Sequence, residues 1–403
     1  MDIKSVEELD LAGKRVLLRV EFNVPVKDGK IKDDTRIKAS MPTIEYIIKK
    51  GGKLIIMAHL GRPQEELEEG IDIKVVKEKN TFKPVAEHLS RLLGKEVKLA
   101  PDSIGEEVEV MVDELQDGEV LMLENLRLYK EEQANDANFA DSLAKLGDVY
   151  VNDCFGAAHR WQASIAACAL KMIDDGKPVG IGFLMKKELD LWNDARKKTG
   201  SKLLIVGGKK IKEKLKAVSK FSKSVDNILV GGTVYNTIRK GQGYETGNSL
   251  TVDDGKDYSK KGKEVADACL NLILAENVVV AKSVYDVKGS KEVSIEDGVP
   301  KDHMITDIII DEGMAEKIKK AEIAIIFGPT GIFDCGFDKS VKKIAEILQD
   351  AYVIMGGGET LEAYHGLKGV VSTGGGASIK LYTKGTLEAL EALKGNKDYG
   401  ASE

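Results

Sequence analysis

Nine arginines stand against 51 lysines in this chain, and their placement is uneven. Seven of the nine lie at or before Arg160. Five of them, Arg19, Arg36, Arg62, Arg127 and Arg160, fall in or just after segments that read as strand ends. Lysine evidently serves for ordinary surface charge here. Arginine reserved for strand ends suggests that its planar fork is needed, because the fork grips a carboxylate or phosphate through two parallel hydrogen bonds. Glycine is biased the other way: of 41 glycines, 26 lie beyond residue 200. They cluster as Gly207-Gly208, Gly231-Gly232, Gly328 with Gly331, Gly356-Gly357-Gly358 and Gly374-Gly375-Gly376. Glycine lets backbone N–H groups approach a phosphate and form an anion nest at a helix start. One arginine is ordinarily a local ion pair, and one glycine pair ordinarily a turn. Repetition after successive strands points instead to phosphoryl transfer between a nucleotide held in the second half and a small acidic partner held in the first.

Such groups need elements to aim them. KRVLLRV (from Lys14), KLIIMAH (from Lys53), EVLMLEN (from Glu119) and GDVYVND (from Gly147) read as strands in the first half. KLLIVGG (from Lys202), DNILVGG (from Asp226), NVVVAKS (from Asn277), EIAIIFG (from Glu322) and AYVIMGG (from Ala351) read as strands in the second. The runs are apolar on both faces, as strands of a helix-covered parallel sheet should be. Between them TRIKASMPTIEYIIKK sets Ile37, Met41, Ile44 and Ile48 at helical spacing. The alternation predicts an α/β fold of two doubly wound parallel-sheet (Rossmann-like) domains. Ligands in such sheets bind beyond the carboxyl ends of the strands. A polar stretch, Asp174-Asp175-Gly176-Lys177-Pro178, marks the expected boundary, and a long helix from about Leu184 to Lys198 should follow and bridge the lobes. The expected domains are 1–175, completed by 390–403, and 185–388. A hinge is expected around Gly176 to Gly182, in the long helix, and at Ser372 to Ala377.

With 403 residues the chain exceeds what one core usually supports. The net charge of -6 and a pI of about 5.7 argue against a nucleic-acid or membrane surface. The first residues show no apolar signal segment and no run could span a bilayer, which predicts a cytoplasmic protein. The four cysteines, Cys154, Cys168, Cys269 and Cys335, form no CxxC pair and read as free thiols. The five histidines lack metal-ligand spacing.

No GxxxxGK[ST] P-loop occurs, the HRD and DFG segments of protein kinases are missing, and no GxGxxG follows the first strand. What does occur is RVEFNVP (Arg19 to Pro25), HLGRP (His59 to Pro63), LMLENLRLYKEE (Leu121 to Glu132) and YVNDCFGAAHR (Tyr150 to Arg160). Later come GFLMKKEL, IVGGKKIKEKL, FGPTGIFD, MGGGET and VSTGGGAS. In unbroken order over nearly the whole chain, these resemble the motifs of the phosphoglycerate kinases. The resemblance implies reversible phosphoryl transfer between 1,3-bisphosphoglycerate and ADP, giving 3-phosphoglycerate and ATP, with magnesium, in a monomer. It implies that Arg19, Glu21, Phe22, Asn23, Arg36, His59, Leu60, Gly61, Arg62, Arg127, His159 and Arg160 bind the phosphoglycerate. It assigns Gly208, Lys210, Lys214, Gly232, Gly328, Asp334, Gly356, Gly357, Gly358, Glu359 and Thr360 to the nucleotide, with Glu359 meeting the metal. Arg36, Lys210, Gly357 and Gly358 are implied in the transfer itself.

The chain departs from the family pattern at several points. Glu21 and Glu359 each stand where the family has aspartate, and Asp334 where it has glutamate. Ile326 to Pro329 reads IFGP in place of WNGP. Lys209 occupies an alanine position, and Gln162 one where histidine is common. The longer carboxylate of Glu359 can still reach magnesium, through altered geometry or a water.

Overall fold

The computed structural model describes residues 3–399. The chain divides into two compact units: one runs to Asn193 and resumes at Lys384, and the other is Asp194–Thr383. Of the stretch 390–403 expected to complete the first domain, 400–403 lie outside the described residues.

The first unit is built on seven parallel strands, in the order Lys4–Ser5, Val179–Ile181, Val149–Asp153, Arg15–Val20, Lys53–Met57, Val120–Met122 and Val97–Leu99. Arg15–Val20 lies at the centre, and Val16, Leu17, Leu18, Arg19 and Val20 are all fully buried. Helices must therefore cover both faces. The helix Thr35–Lys49 is one of them. Of the four residues expected on its apolar face, Ile37 and Ile44 are fully buried, while Met41 and Ile48 are partly buried against the same cluster. Ile47 is fully buried there too.

The long helix Phe183–Lys197 begins in the first unit and ends in the second. At its start, the backbone N–H of Met185 donates to Asp153 Oδ1 at 3.0 Å, from the last residue of a central strand. Gly182 precedes the helix because a Cβ there would lie 2.3 Å from Asp153 Cγ. The returning chain ends in the helix Glu388–Leu393, which packs on the helix Ala167–Asp174. Its Ala389 N–H donates to the Ala158 carbonyl at 3.0 Å, and Lys397 pairs with Asp174 at 2.7 Å.

The second unit has six parallel strands, in the order Leu272–Ile273, Asn227–Val230, Lys202–Val206, Ile323–Phe327, Tyr352–Gly356 and Val370–Ser372. One expectation needs correcting. Asn277–Ala281 is not a strand of this sheet; it is the centre of a separate three-stranded antiparallel sheet, between Lys291–Ser294 and Met304–Ile308. Val278, Val280 and Ala281 are fully buried, so the run looks the same whichever way its neighbours point. Among the described residues, no helix is long and apolar enough to cross a membrane.

Candidate active site

In the first unit the strand ends gather cations around one histidine. Arg19 lies on the central strand and is fully buried. Its Nε donates to Ser164 Oγ at 2.8 Å, and its Nη2 donates to His59 Nδ1 at 2.8 Å. Its Nη1 donates to the Val20 carbonyl and to Cys154 Sγ at 3.5 Å. His59 follows the next strand and is 3% exposed. Burial, and then the charges of Arg19, Arg127, Arg160 and Arg36, hold its pKa well below the ordinary value, so the ring is neutral. Four of the five arginines singled out by composition therefore act on one point. Arg62 stands apart: it is exposed, and its Nη1 lies 3.1 Å from Glu65 Oε1.

Glu21 is the carboxylate inside this cluster. Arg36 Nη1 donates to its Oε1 at 3.2 Å and to the Asn23 carbonyl at 2.7 Å. Cys154 Sγ donates to Oε2 at 3.2 Å. Burial raises the Cys154 thiol strongly, so it remains a donor. Gly156 makes room for this longer side chain, since a Cβ there would lie 3.0 Å from Glu21 Oε2. Gly61 is clamped from both sides. Its N–H donates to Asn23 Oδ1 at 3.0 Å, and its carbonyl accepts from Arg127 Nη1 at 2.8 Å. Burial, then Arg160 and Arg19, pull the Arg127 pKa down to about 10. Phe22 and Leu60 lie in the hydrophobic core, and Asn125 accepts from the Leu60 N–H at 3.1 Å and donates to the Leu60 carbonyl at 2.8 Å. His159 is half-buried and Arg160 exposed, both just past the turn Phe155–Ala157.

In the second unit the glycine loops are packed backbone to backbone. Gly207 donates to the Phe327 carbonyl at 3.0 Å, Gly208 to Pro329 at 2.8 Å, and Gly232 to Thr330 at 2.9 Å. A Cβ on Gly207 would lie 1.9 Å from the Pro329 oxygen. Gly328 has φ of +91°, and a Cβ there would meet the Gly207 oxygen at 2.4 Å. Thr360 ties two loops together: Gly328 N–H donates to its Oγ1 at 2.8 Å, and Oγ1 donates to the Gly356 carbonyl at 2.7 Å. Gly357 and Gly358 differ from these. A Cβ on either would meet nothing within 4 Å, and Gly357 has φ of +90° at the start of the helix Gly358–Ala363. Open space before a helix start is where a phosphate can lie.

Lysines flank this space. Lys210 is exposed at the N-cap of the helix Ile211–Phe221. One turn on, Lys214 Nζ donates to the Phe327 carbonyl at 2.6 Å. Burial lowers its pKa to about 8, against the opposing charge of Glu359. Glu359 is exposed in the first turn of its helix, and a Cβ on Gly208 would lie 3.0 Å from its Oε2. No cluster of three or more metal-ligating side chains occurs among the described residues. Magnesium does not require one, since it is usually held by one or two carboxylates plus phosphate oxygens and water. A lone exposed carboxylate beside an anion nest fits that pattern. Asp334 is exposed in the turn Phe333–Cys335, on the loop that follows Gly331.

Two supporting groups escape sequence reasoning. Glu132 is fully buried and accepts from Ser164 Oγ at 2.6 Å and Ser164 N at 2.8 Å. Asp307 is 2% exposed and accepts from Ser340 N at 3.1 Å and from Ser340 Oγ, and Ser340 in turn meets Thr330 Oγ1 at 2.5 Å. Burial raises the Asp307 pKa to about 6. Glu132 closes the motif LMLENLRLYKEE, but nothing there marks it as a buried acceptor, and no local pattern marks Asp307.

The family model for phosphoglycerate kinase matches residues 6–384. A curated phosphoglycerate kinase from Dictyoglomus turgidum is 39% identical over 407 residues, covering 97% of this chain and 98% of that protein. The solved phosphoglycerate kinase of Coxiella burnetii is similar at a TM-score of 0.77 and 30% identity, covering 98% of this chain and 99% of that one. That of Pyrococcus horikoshii gives 0.78 at 30% identity, with coverage again of 98% and 99%. Arginine cluster, glycine loops and likeness along nearly the full length agree, and the chain belongs to the phosphoglycerate kinase family.

Proposed function

We propose that this protein transfers a phosphoryl group reversibly between 1,3-bisphosphoglycerate and ADP, giving 3-phosphoglycerate and ATP, with magnesium. The observation that carries this reading is a neutral histidine surrounded by the charges of four arginines. Such a pocket suits a small, highly anionic ligand. It offers no free base: the carboxylate within it, Glu21, already accepts from Arg36 and Cys154. An acyl phosphate needs none, because the accepting oxygen in the ATP-consuming direction is already a carboxylate.

In this reading the first unit holds the phosphoglycerate. Asn23, His59, Arg62, Arg127, His159 and Arg160 supply donors around it, and Arg36 faces the transferring group. The second unit holds the nucleotide. The open N–H groups at Gly357 and Gly358 receive phosphate oxygens, Lys210 follows the migrating phosphoryl, and Lys214 and Thr360 hold the loops in shape. Gly208, Gly232, Gly328 and Asp334 border the nucleoside. Glu359 would hold magnesium, which when bound neutralises phosphate charge. Positioning and positive charge along the line of transfer are the main demands of such chemistry. Because the two sets of residues belong to different units, transfer requires hinge closure, which also excludes water. The segments at Gly176 to Gly182, the helix Phe183–Lys197 and Ser372 to Ala377 would flex. The protein acts as a cytoplasmic monomer.

The test is a steady-state assay with 3-phosphoglycerate, ATP or GTP, and magnesium, repeated for Lys210→Ala. The expected outcome is turnover with ATP, and in the variant a fall in kcat of about 100-fold or more with nucleotide binding retained. Absence of turnover with either nucleotide would sink the reading. Small-angle scattering should show compaction only when both substrates are present.

A further inference from the structure

Resting on that reading of the first unit, we propose that Glu132 and Ser164 are positioning residues for the phosphoglycerate site. They orient Arg19 so that it holds His59 with its single ring proton on Nε2. The argument is one of hydrogen-bond polarity. Arginine has donors only. Ser164 Oγ, 2.8 Å from Arg19 Nε, must therefore accept, and its own hydrogen is left for Glu132 Oε1 at 2.6 Å. The second oxygen of Glu132 takes the Ser164 N–H at 2.8 Å, so this carboxylate accepts on both sides. At the far end Arg19 Nη2 must donate to His59 Nδ1 at 2.8 Å, so Nδ1 carries no proton. The neutral ring then bears it on Nε2.

Each bond in this row has one possible direction: Arg19 donates outward to both His59 and Ser164, and Ser164 donates on to Glu132. The row is dry: Arg19, Ser164 and Glu132 are fully buried and His59 nearly so. Glu132 also compensates the buried charge, with Oε1 3.9 Å from Arg19 Nη2. A second branch runs from Arg19 Nη1 through Cys154 Sγ to Glu21 Oε2, so the same guanidinium helps to set the carboxylate that holds Arg36. On the ligand side His59 Nε2 lies 3.7 Å from Glu21 Oε1. An anion arriving there meets an N–H. In the other tautomer it would meet a lone pair.

A buried ion pair that served only to stabilise the fold would leave the tautomer of His59 untouched when it was altered, and this separates the two roles. The test is nitrogen NMR of 15N-histidine-labelled, ligand-free full-length protein, with His59 assigned from the His59→Gln spectrum. In the parent, Nδ1 should resonate as an unprotonated nitrogen and Nε2 as a protonated one. Ser164→Ala removes the acceptor for Arg19 Nε and should yield a tautomer mixture. Glu132→Gln removes the charge 3.9 Å from Arg19 Nη2 and can turn a donor toward Ser164 Oγ, which loosens the orientation of Arg19, and should do the same. Ser164→Thr keeps a hydroxyl and should retain the parent spectrum. In the assay the first two variants should raise the KM for 3-phosphoglycerate by about tenfold, as for loss of one well-aimed bond to a charged ligand. Their kcat and KM for ATP should hold within about twofold. The proposal is overturned if the parent carries the proton on Nδ1, or if every variant that folds keeps the parent tautomer, even with an altered KM. The spectrum is read without substrate. A parent that fails to turn over phosphoglycerate therefore counts against the proposed function and leaves the result on the relay standing.

Discussion

Burial first, and then four arginine charges, hold His59 uncharged. The consequence for stability has a definite sign. The unfolded chain takes up a proton on this ring near pH 6.5, while the folded chain does not until well below that. Stability is therefore complete in this respect above about pH 6.5 and falls as the pH drops below it. Denaturant melts between pH 5 and 8 should show that acid-side slope in the difference between the parent and His59→Gln. In the other unit, Thr360→Val would leave the Gly328 N–H and the Gly356 carbonyl without their shared partner. A loss of about 1–3 kcal/mol is expected, with a raised KM for ATP and an unchanged KM for 3-phosphoglycerate. The arginines were visible in the sequence because a lysine-rich chain uses arginine sparingly. The role of Glu132 and Ser164 was not, although Glu132 closes the motif LMLENLRLYKEE, because Ser164 meets its guanidinium across 145 residues of chain. Asp307, 33 residues from Ser340, was hidden for the same reason.

Elements show the same division. The helix Phe183–Lys197 lies within a residue of its expected span at both ends, since helical periodicity is a local property. Asn277–Ala281 was expected in the parallel sheet because an apolar run carries no information about the direction of its neighbours, and its partner Lys291–Ser294 is too polar to draw notice. The start of the long helix makes a prediction of its own. Asp153 is fully buried there, and desolvation raises its pKa to about 7, with the Met185 N–H among the opposing influences. Its folded pKa lies above its unfolded one, so the folded chain keeps a proton that the unfolded chain releases. The contribution of this group should thus decline as pH rises from about 4 to about 7, by on the order of 4 kcal/mol, and level off above. Asp153→Asn should flatten that limb of the profile, as chemical denaturation at several pH values would show.

At the scale of the whole chain, the first unit is made of two separated pieces and the second of one. Leu387, Leu390 and Leu393 are buried in the first unit, each contributing about 1.5–3 kcal/mol by its burial. Ending the chain after Thr383 should therefore destabilise the first unit selectively. Hydrogen exchange in the helix Ala167–Asp174 should accelerate, and the strand core of the second unit should stay protected; equal loss in both would count against this. The same discontinuity sets an order for folding during synthesis. Domains generally fold as units while the ribosome extends the chain, the N-terminal one first. Here that order is inverted. The second unit has all its strands as soon as Thr383 has left the exit tunnel. The first unit, although translated earlier, waits for the helix Glu388–Leu393 to cover its last apolar face.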